Sequence, residues 1–135
     1  MTSKVVYEGE LRTVATHLRS GTVIETDAPL DNQGKGERFS PTDLVATALA
    51  SCMFTLMGIA AKTHEIDIEE MECDVEKIMT ANPRKIGEIK IDIRFPKGQQ
   101  YSDKDKKILE QAALTCPVHR SLSDEVKKTI SFNWL

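Results

Sequence analysis

Three cysteines, Cys52, Cys73 and Cys116, are the residues of this chain best suited to covalent chemistry. A thiol works as its thiolate, so its surroundings decide whether it reacts. Cys116 directly precedes Pro117, where a helix is predicted to begin, and so stands at an N-cap facing unpaired backbone N–H groups. That placement predicts a lowered thiol pKa, with His119 and Arg120 adding positive potential within the next turn. The same pattern equally suits an ordinary cap followed by a solvated His-Arg pair. Cys52, in Ala50-Ser51-Cys52-Met53, lies midway along an uncharged stretch, a position that also suits a small buried hydrophobe. In Met71-Glu72-Cys73-Asp74-Val75, Cys73 shares the apolar face of an alternating strand and reads as core.

Two thiols on separate helices, with an arginine nearby, would meet the needs of peroxide reduction. One thiolate attacks the peroxide, a cation stabilises the leaving alkoxide, and a second thiol condenses with the sulfenic acid. Metal chemistry has less to recommend it, because Cys-Pro-Val-His lacks a partner motif, and no metal is expected. Three irregularly spaced cysteines exclude a disulfide scaffold, and one chain cannot supply a four-cysteine zinc site.

The elements that must position these residues follow from periodicity. Lys4 to Leu18 reads as extended, Arg19-Ser20-Gly21 as a turn, and Thr22 to Thr26 as a second strand. Asp27 to Phe39 is rich in turn-forming residues and is predicted to be loop. Ser40 is the expected N-cap of a helix, with Pro41 at its first position and Asp43 completing a variant capping box. No residue from Leu44 to Ala61 is charged. That length raises a membrane span, but the Thr, Ser, Cys and Gly within it favour a helix of about 41–63 buried nearly all round. A strand is expected from Ile66 to about Thr80 and another over Ile89, Ile91, Ile93 and Phe95. Ser102 is predicted to cap a helix to about Leu114, and Pro117 to Leu122 forms a short helix. Thr129 to Leu135 is the last expected strand. This order predicts an α+β fold with a mainly antiparallel sheet and a long buried central helix. One sheet cannot cover a helix that is apolar on every side, so a homodimer is expected.

The 135 residues suit a single domain, and 40% hydrophobic with 29% charged residues is ordinary globular composition. With 18 Lys and Arg against 21 Asp and Glu, the net charge of −3 argues against a general nucleic-acid binder. The first residues, Met1-Thr2-Ser3-Lys4-Val5, contain no signal-peptide pattern, so a reduced cytoplasmic protein with no membrane association is the expectation.

Phe39-Ser40-Pro41-Thr42-Asp43-Leu44, running on to Ala48-Leu49-Ala50-Ser51-Cys52, closely resembles the first signature of the OsmC/Ohr family, the osmotically inducible and organic hydroperoxide resistance proteins. Thr115-Cys116-Pro117-Val118-His119 resembles the second. The resemblance implies a single OsmC-like domain over 1–135 and an intertwined homodimer. It makes Cys52 the peroxidatic and Cys116 the resolving cysteine, in a cofactor-free peroxidase acting on organic hydroperoxides and reduced by an external dithiol. It also implies a site arginine, for which Arg12 fits best and Arg19 is the second candidate. An apolar substrate pocket at the dimer interface is expected to involve Met53, Phe54 and Met57. Two positions depart from the family's peroxidases. Thr42 stands where they carry a glutamate that anchors the arginine, and Gly9-Glu10-Leu11-Arg12-Thr13 replaces their Gly-Gly-Arg-Asp-Gly turn. These departures favour an alternative reading, a non-catalytic redox-responsive or small-ligand-binding dimer of the same fold.

Overall fold

The first extended stretch breaks at Gly9. In the computed structural model, which describes residues 1–134, strand β1 (Ser3–Gly9) turns back on β2 (Arg12–His17) as an antiparallel hairpin. The expected continuous run from Lys4 to Leu18 is thereby corrected. Glu10 and Leu11 both take left-handed backbone angles, φ 53° and 63°. Such a two-residue turn matches the twist of the strands it joins, but it lacks the Asn-Gly that would announce it in sequence. Strand β3 (Val23–Asp27) pairs antiparallel with β2, placing Arg12 opposite Asp27. These strands form a sheet of order β1-β2-β3 within a compact unit spanning Met1–Val45.

Helix α1 runs from Pro41 to Thr63. Ser40 and Asp43 form its predicted capping box, satisfying one backbone N–H each. Along the helix Ala46, Leu49, Ala50, Met53, Met57 and Ala61 are buried, a stripe with mostly three- and four-residue spacing. Val45 and Ile59 are exposed on other faces. Within one chain α1 is therefore covered along one stripe and not nearly all round, because a single sheet and its neighbours reach only one side. By length and composition α1 is also long and apolar enough to cross a membrane.

The second compact unit, Ala46–Leu135, is built on a sheet of order β4-β5-β6. Strand β4 (Glu72–Thr80) begins six residues later than the expected Ile66. Left-handed Glu65 and Glu70 break the extended path between α1 and Glu72. β4 pairs antiparallel with β5 (Lys85–Arg94), whose Ile89, Ile91 and Ile93 are fully buried on one face. Each such side chain contributes about 1.5–3 kcal/mol of hydrophobic stabilisation. β6 (Lys127–Asn133) lies parallel to β5 on its other side. The expected strand to Leu135 thus starts and ends two residues early, and Leu135 itself lies outside the described residues.

A parallel pair needs a crossover connection, here supplied by α2 (Asp103–Leu114) and α3 (Pro117–Ser121). Ser102 caps α2 by accepting the Asp105 N–H at 3.0 Å. Leu109 and Ala113 turn inward, and Phe95 stacks on Trp134 with ring centroids 3.7 Å apart. The fold is α+β and mainly antiparallel, with its pairings divided between two three-stranded sheets.

Candidate functional site

Cys116 is the N-cap of α3, with Pro117 following at the first helical position. The His119 backbone N–H points back at the Cys116 sulfur, N to Sγ 3.4 Å. The helix start predicted from Cys-Pro is thus present, but its electrostatic consequence is reversed. Cys116 is fully buried among apolar neighbours, and burial pushes its thiol above the ordinary value. The neighbouring Cys52 thiol pushes it up further, while the His119 and Val118 N–H groups pull the other way without prevailing. The expected lowered pKa at Cys116 is corrected on this ground: desolvation outweighs two backbone donors.

Cys52, midway along α1, is thus near enough to Cys116 to influence it, and both thiols are free. Cys52 is half-buried, whereas Cys116 has no exposed surface. Of the two, Cys52 is therefore the more accessible residue and Cys116 the one whose burial favours the protonated thiol. Cys73 sits on the inward face of β4, also half-buried, with its thiol raised chiefly by burial.

On α1, Thr47, Ala50, Ser51, Phe54 and Thr55 border an open groove of about 560 Å³ with Cys73 and Val75 of β4; Cys73, and not Cys52, is the cysteine in its lining. Of the three residues expected at an apolar pocket, Phe54 borders this groove. Met53 and Met57 are fully buried in the core of the second unit. Neighbours on a helix lie about 100° apart, so Phe54 and Met53 belong to different faces. Among the described residues no group of three or more His, Cys, Asp or Glu is placed to share a metal ion.

The first unit holds the arginine candidates. Arg12 projects from β2 and pairs bidentately with Asp27 of β3, Nε to Oδ1 2.7 Å and Nη2 to Oδ2 2.8 Å. Nη2 also reaches Glu37 Oε1 at 3.2 Å, and the Glu37 backbone N–H donates to Asp27 Oδ2 at 3.1 Å. Only 1% of Asp27 is exposed. The Arg12 guanidinium holds the Asp27 carboxyl below the usual carboxylate range, and Asp27 in turn raises Arg12. Arg19 is exposed beyond the end of β2. Thr42 lies 3.2 Å from Ser40, hydroxyl to hydroxyl. Asp27 and Glu37 escaped the sequence reading because both fell in a stretch assigned to loop. The signal that finds Asp27 is strand register, which appears only once the Glu10-Leu11 turn is recognised.

Residues 34–131 match the family model for OsmC-like proteins. A crystal structure from Psychrobacter arcticus, described as an osmotic stress induced and detoxification response protein, is 51% identical over 98% of this chain and 96% of its own, with a TM-score of 0.93. The fold extends to an organic hydroperoxide resistance protein OsmC from Legionella pneumophila, 16% identical over 97% and 96% of the two chains at TM-score 0.75. It extends also to the organic hydroperoxide resistance protein OhrB of Bacillus subtilis, 19% identical over 98% of each chain at TM-score 0.62. Comparison with curated proteins gives no match.

Proposed function

Because the chain belongs to the family of OsmC-like proteins, we propose that it serves the stress response as a thiol-dependent peroxidase reducing organic hydroperoxides. The observation that carries this reading is the asymmetry of the two thiols: Cys52 is half-buried, and Cys116, whose thiol the nearby Cys52 helps to push up, is fully buried. The Cys52 thiolate attacks the terminal oxygen of the hydroperoxide. The O–O bond breaks, the alkoxide leaves and takes a proton to become the alcohol, and Cys52 is oxidised to sulfenic acid. Cys116 then attacks the Cys52 sulfur, its proton leaves with the hydroxyl as water, and a disulfide forms. An external dithiol returns both thiols to the reduced state. The family resemblance assigns to Arg12 the cation that stabilises the departing oxygen. The groove bordered by Phe54 favours an organic group over hydrogen peroxide.

The reading includes a second copy of the chain. In β1, Val5 and Tyr7 point to one face and are 63% and 64% exposed, and on α1 Ile59 is 59% exposed. Each unit thus leaves apolar side chains open, and a second copy of the chain is the partner we assign to them. A cytoplasmic setting, where thiols stay reduced, suits the chemistry.

The test is a free-thiol count and intact mass after one equivalent of cumene hydroperoxide is added to reduced protein. Loss of two hydrogens in the wild type, abolished in both Cys52→Ser and Cys116→Ser, is expected. Survival of all three thiols would overturn the peroxidase and leave the ligand-binding dimer that Thr42, in place of an anchoring acid, favours.

A further inference from the structure

We propose that Trp134 is a latch on the crossover between β5 and β6, and that its grip on α2 sets how readily a thiol reagent reaches the buried Cys116 sulfur. The crossover carries α2, Cys116 and α3. The parallel register sets the last residues of the two strands side by side, Arg94 opposite Asn133. The residues that follow them, Phe95 and Trp134, stack face on face and so close the crossover at its base.

Trp134 also holds α2 directly. Its indole N–H donates to Glu110 Oε1 at 2.9 Å, and the Lys106 ammonium lies 5.8 Å from the ring centroid. Lys106 and Glu110 are one helical turn apart, so both project from one face of α2. The carboxylate takes the edge of the ring and the ammonium lies over it. Tyr101, on the approach to α2, meets the same indole at a steep angle with centroids 5.3 Å apart. Its hydroxyl donates to the Asp67 carbonyl at 2.6 Å, which ties the latch to the segment after α1.

What α2 covers is the thiol. Leu109 and Ala113 on its inner face share one core cluster with Cys116, which lies just beyond its end. These two are the only fully buried side chains of α2, so the grip of Trp134 is a large part of what holds the helix down. Cys116 has no exposed surface, and a reagent meets its sulfur only when the crossover lifts. The inference rests on the reading above for what Cys116 does, and not for the latch. On that reading the latch shields the resolving sulfur and leaves Cys52 as the point of entry for external thiols.

The experiment is pulsed alkylation of the reduced protein with iodoacetamide, read at each cysteine by peptide mass spectrometry. No hydroperoxide is present, so a failed peroxidase and a failed latch are told apart. Glu110→Ala removes the acceptor of the indole N–H, and Trp134→Ala removes the latch whole. Each should speed alkylation of Cys116 by about tenfold or more, with Cys73, on β4 outside the crossover, unchanged. Glu110→Gln keeps an acceptor oxygen and should return Cys116 close to its wild-type rate. An unchanged Cys116 in Glu110→Ala would overturn the latch, as would a Glu110→Gln as fast as Glu110→Ala. Cys116 and Cys73 accelerating together would overturn it too, because general loosening exposes both. Should Trp134→Ala not fold, the two Glu110 variants decide the matter.

Discussion

Ser40 and Asp43 each hold the other's backbone. The Asp43 N–H donates to Ser40 Oγ at 3.0 Å, and the Ser40 N–H donates to Asp43 Oδ2 at 3.0 Å. Two donors that the helix cannot satisfy internally are thereby paired at the start of α1. Ser40 is buried, so water does not readily replace the lost partner. Ser40→Ala is expected to cost about 1 kcal/mol or somewhat more. Thermal unfolding should show it as a midpoint lower by roughly 3–5 °C.

The buried Cys116 thiol makes stability pH-dependent in a defined direction. Its folded-state pKa lies above the ordinary thiol value, so the native state keeps a proton that the unfolded chain gives up. The stabilisation is fully present below the unfolded value of about 8.5 and is lost as pH rises through the folded one. Unfolding free energy of the reduced protein should therefore fall above roughly pH 8.5. Cys73 and Tyr101, also raised, act in the same sense. The Cys116 share is read as the part of the slope that disappears in Cys116→Ser. An unchanged slope would place the titration elsewhere.

The proposed homodimer has a direct test on the outward face of α1, where Ile59 is exposed. Ile59→Glu should leave the monomer fold intact, since the side chain is exposed within one chain, yet place a charge in an apolar contact. Light scattering is expected to move from the mass of two chains to that of one. A wild-type protein that is already monomeric at micromolar concentration would remove this assignment.

Phe54 and Met53 are adjacent in sequence but should respond differently to truncation. Phe54 borders the open groove, and Met53 is fully buried. Phe54→Ala should raise KM for cumene hydroperoxide several-fold, by about 1–2 kcal/mol of lost apolar contact, with little change for hydrogen peroxide. Met53→Ala should act on folding, costing about 2–5 kcal/mol in denaturant melts.

What could be read from the chain depended on the range of the determining forces. Caps and alternation are local, so Ser40, Ser102 and Cys116 were placed at their helix starts, and Ile89, Ile91 and Ile93 on a buried face. The Glu10-Leu11 turn was missed because neither residue favours left-handed angles by itself; the hairpin imposes them. The parallel pairing of β5 with β6 joins distant residues and leaves no local pattern. The site divides in the same way. Cys52 and Cys116 are legible from short motifs, and Cys52 lies near enough to raise the Cys116 thiol. The Cys116 proton balance was misjudged because burial is a property of the packed chain, and Asp27 stayed hidden until strand register set it opposite Arg12.

The parallel placement of β6 has a further consequence for how the thiol pair comes into being. Glu88 pairs with Lys127, and α2, Cys116 and α3 all lie on the segment between them. The outer strand cannot dock until that whole segment has been made, and closing so long a loop is slow compared with forming a hairpin. On the ribosome, α1 and the β4–β5 hairpin emerge well before Cys116 does. The nascent chain thus passes through a period in which Cys52 has been made and Cys116 has not. On the proposed reading, a Cys52 sulfenic acid formed in that interval would lack the thiol that resolves it.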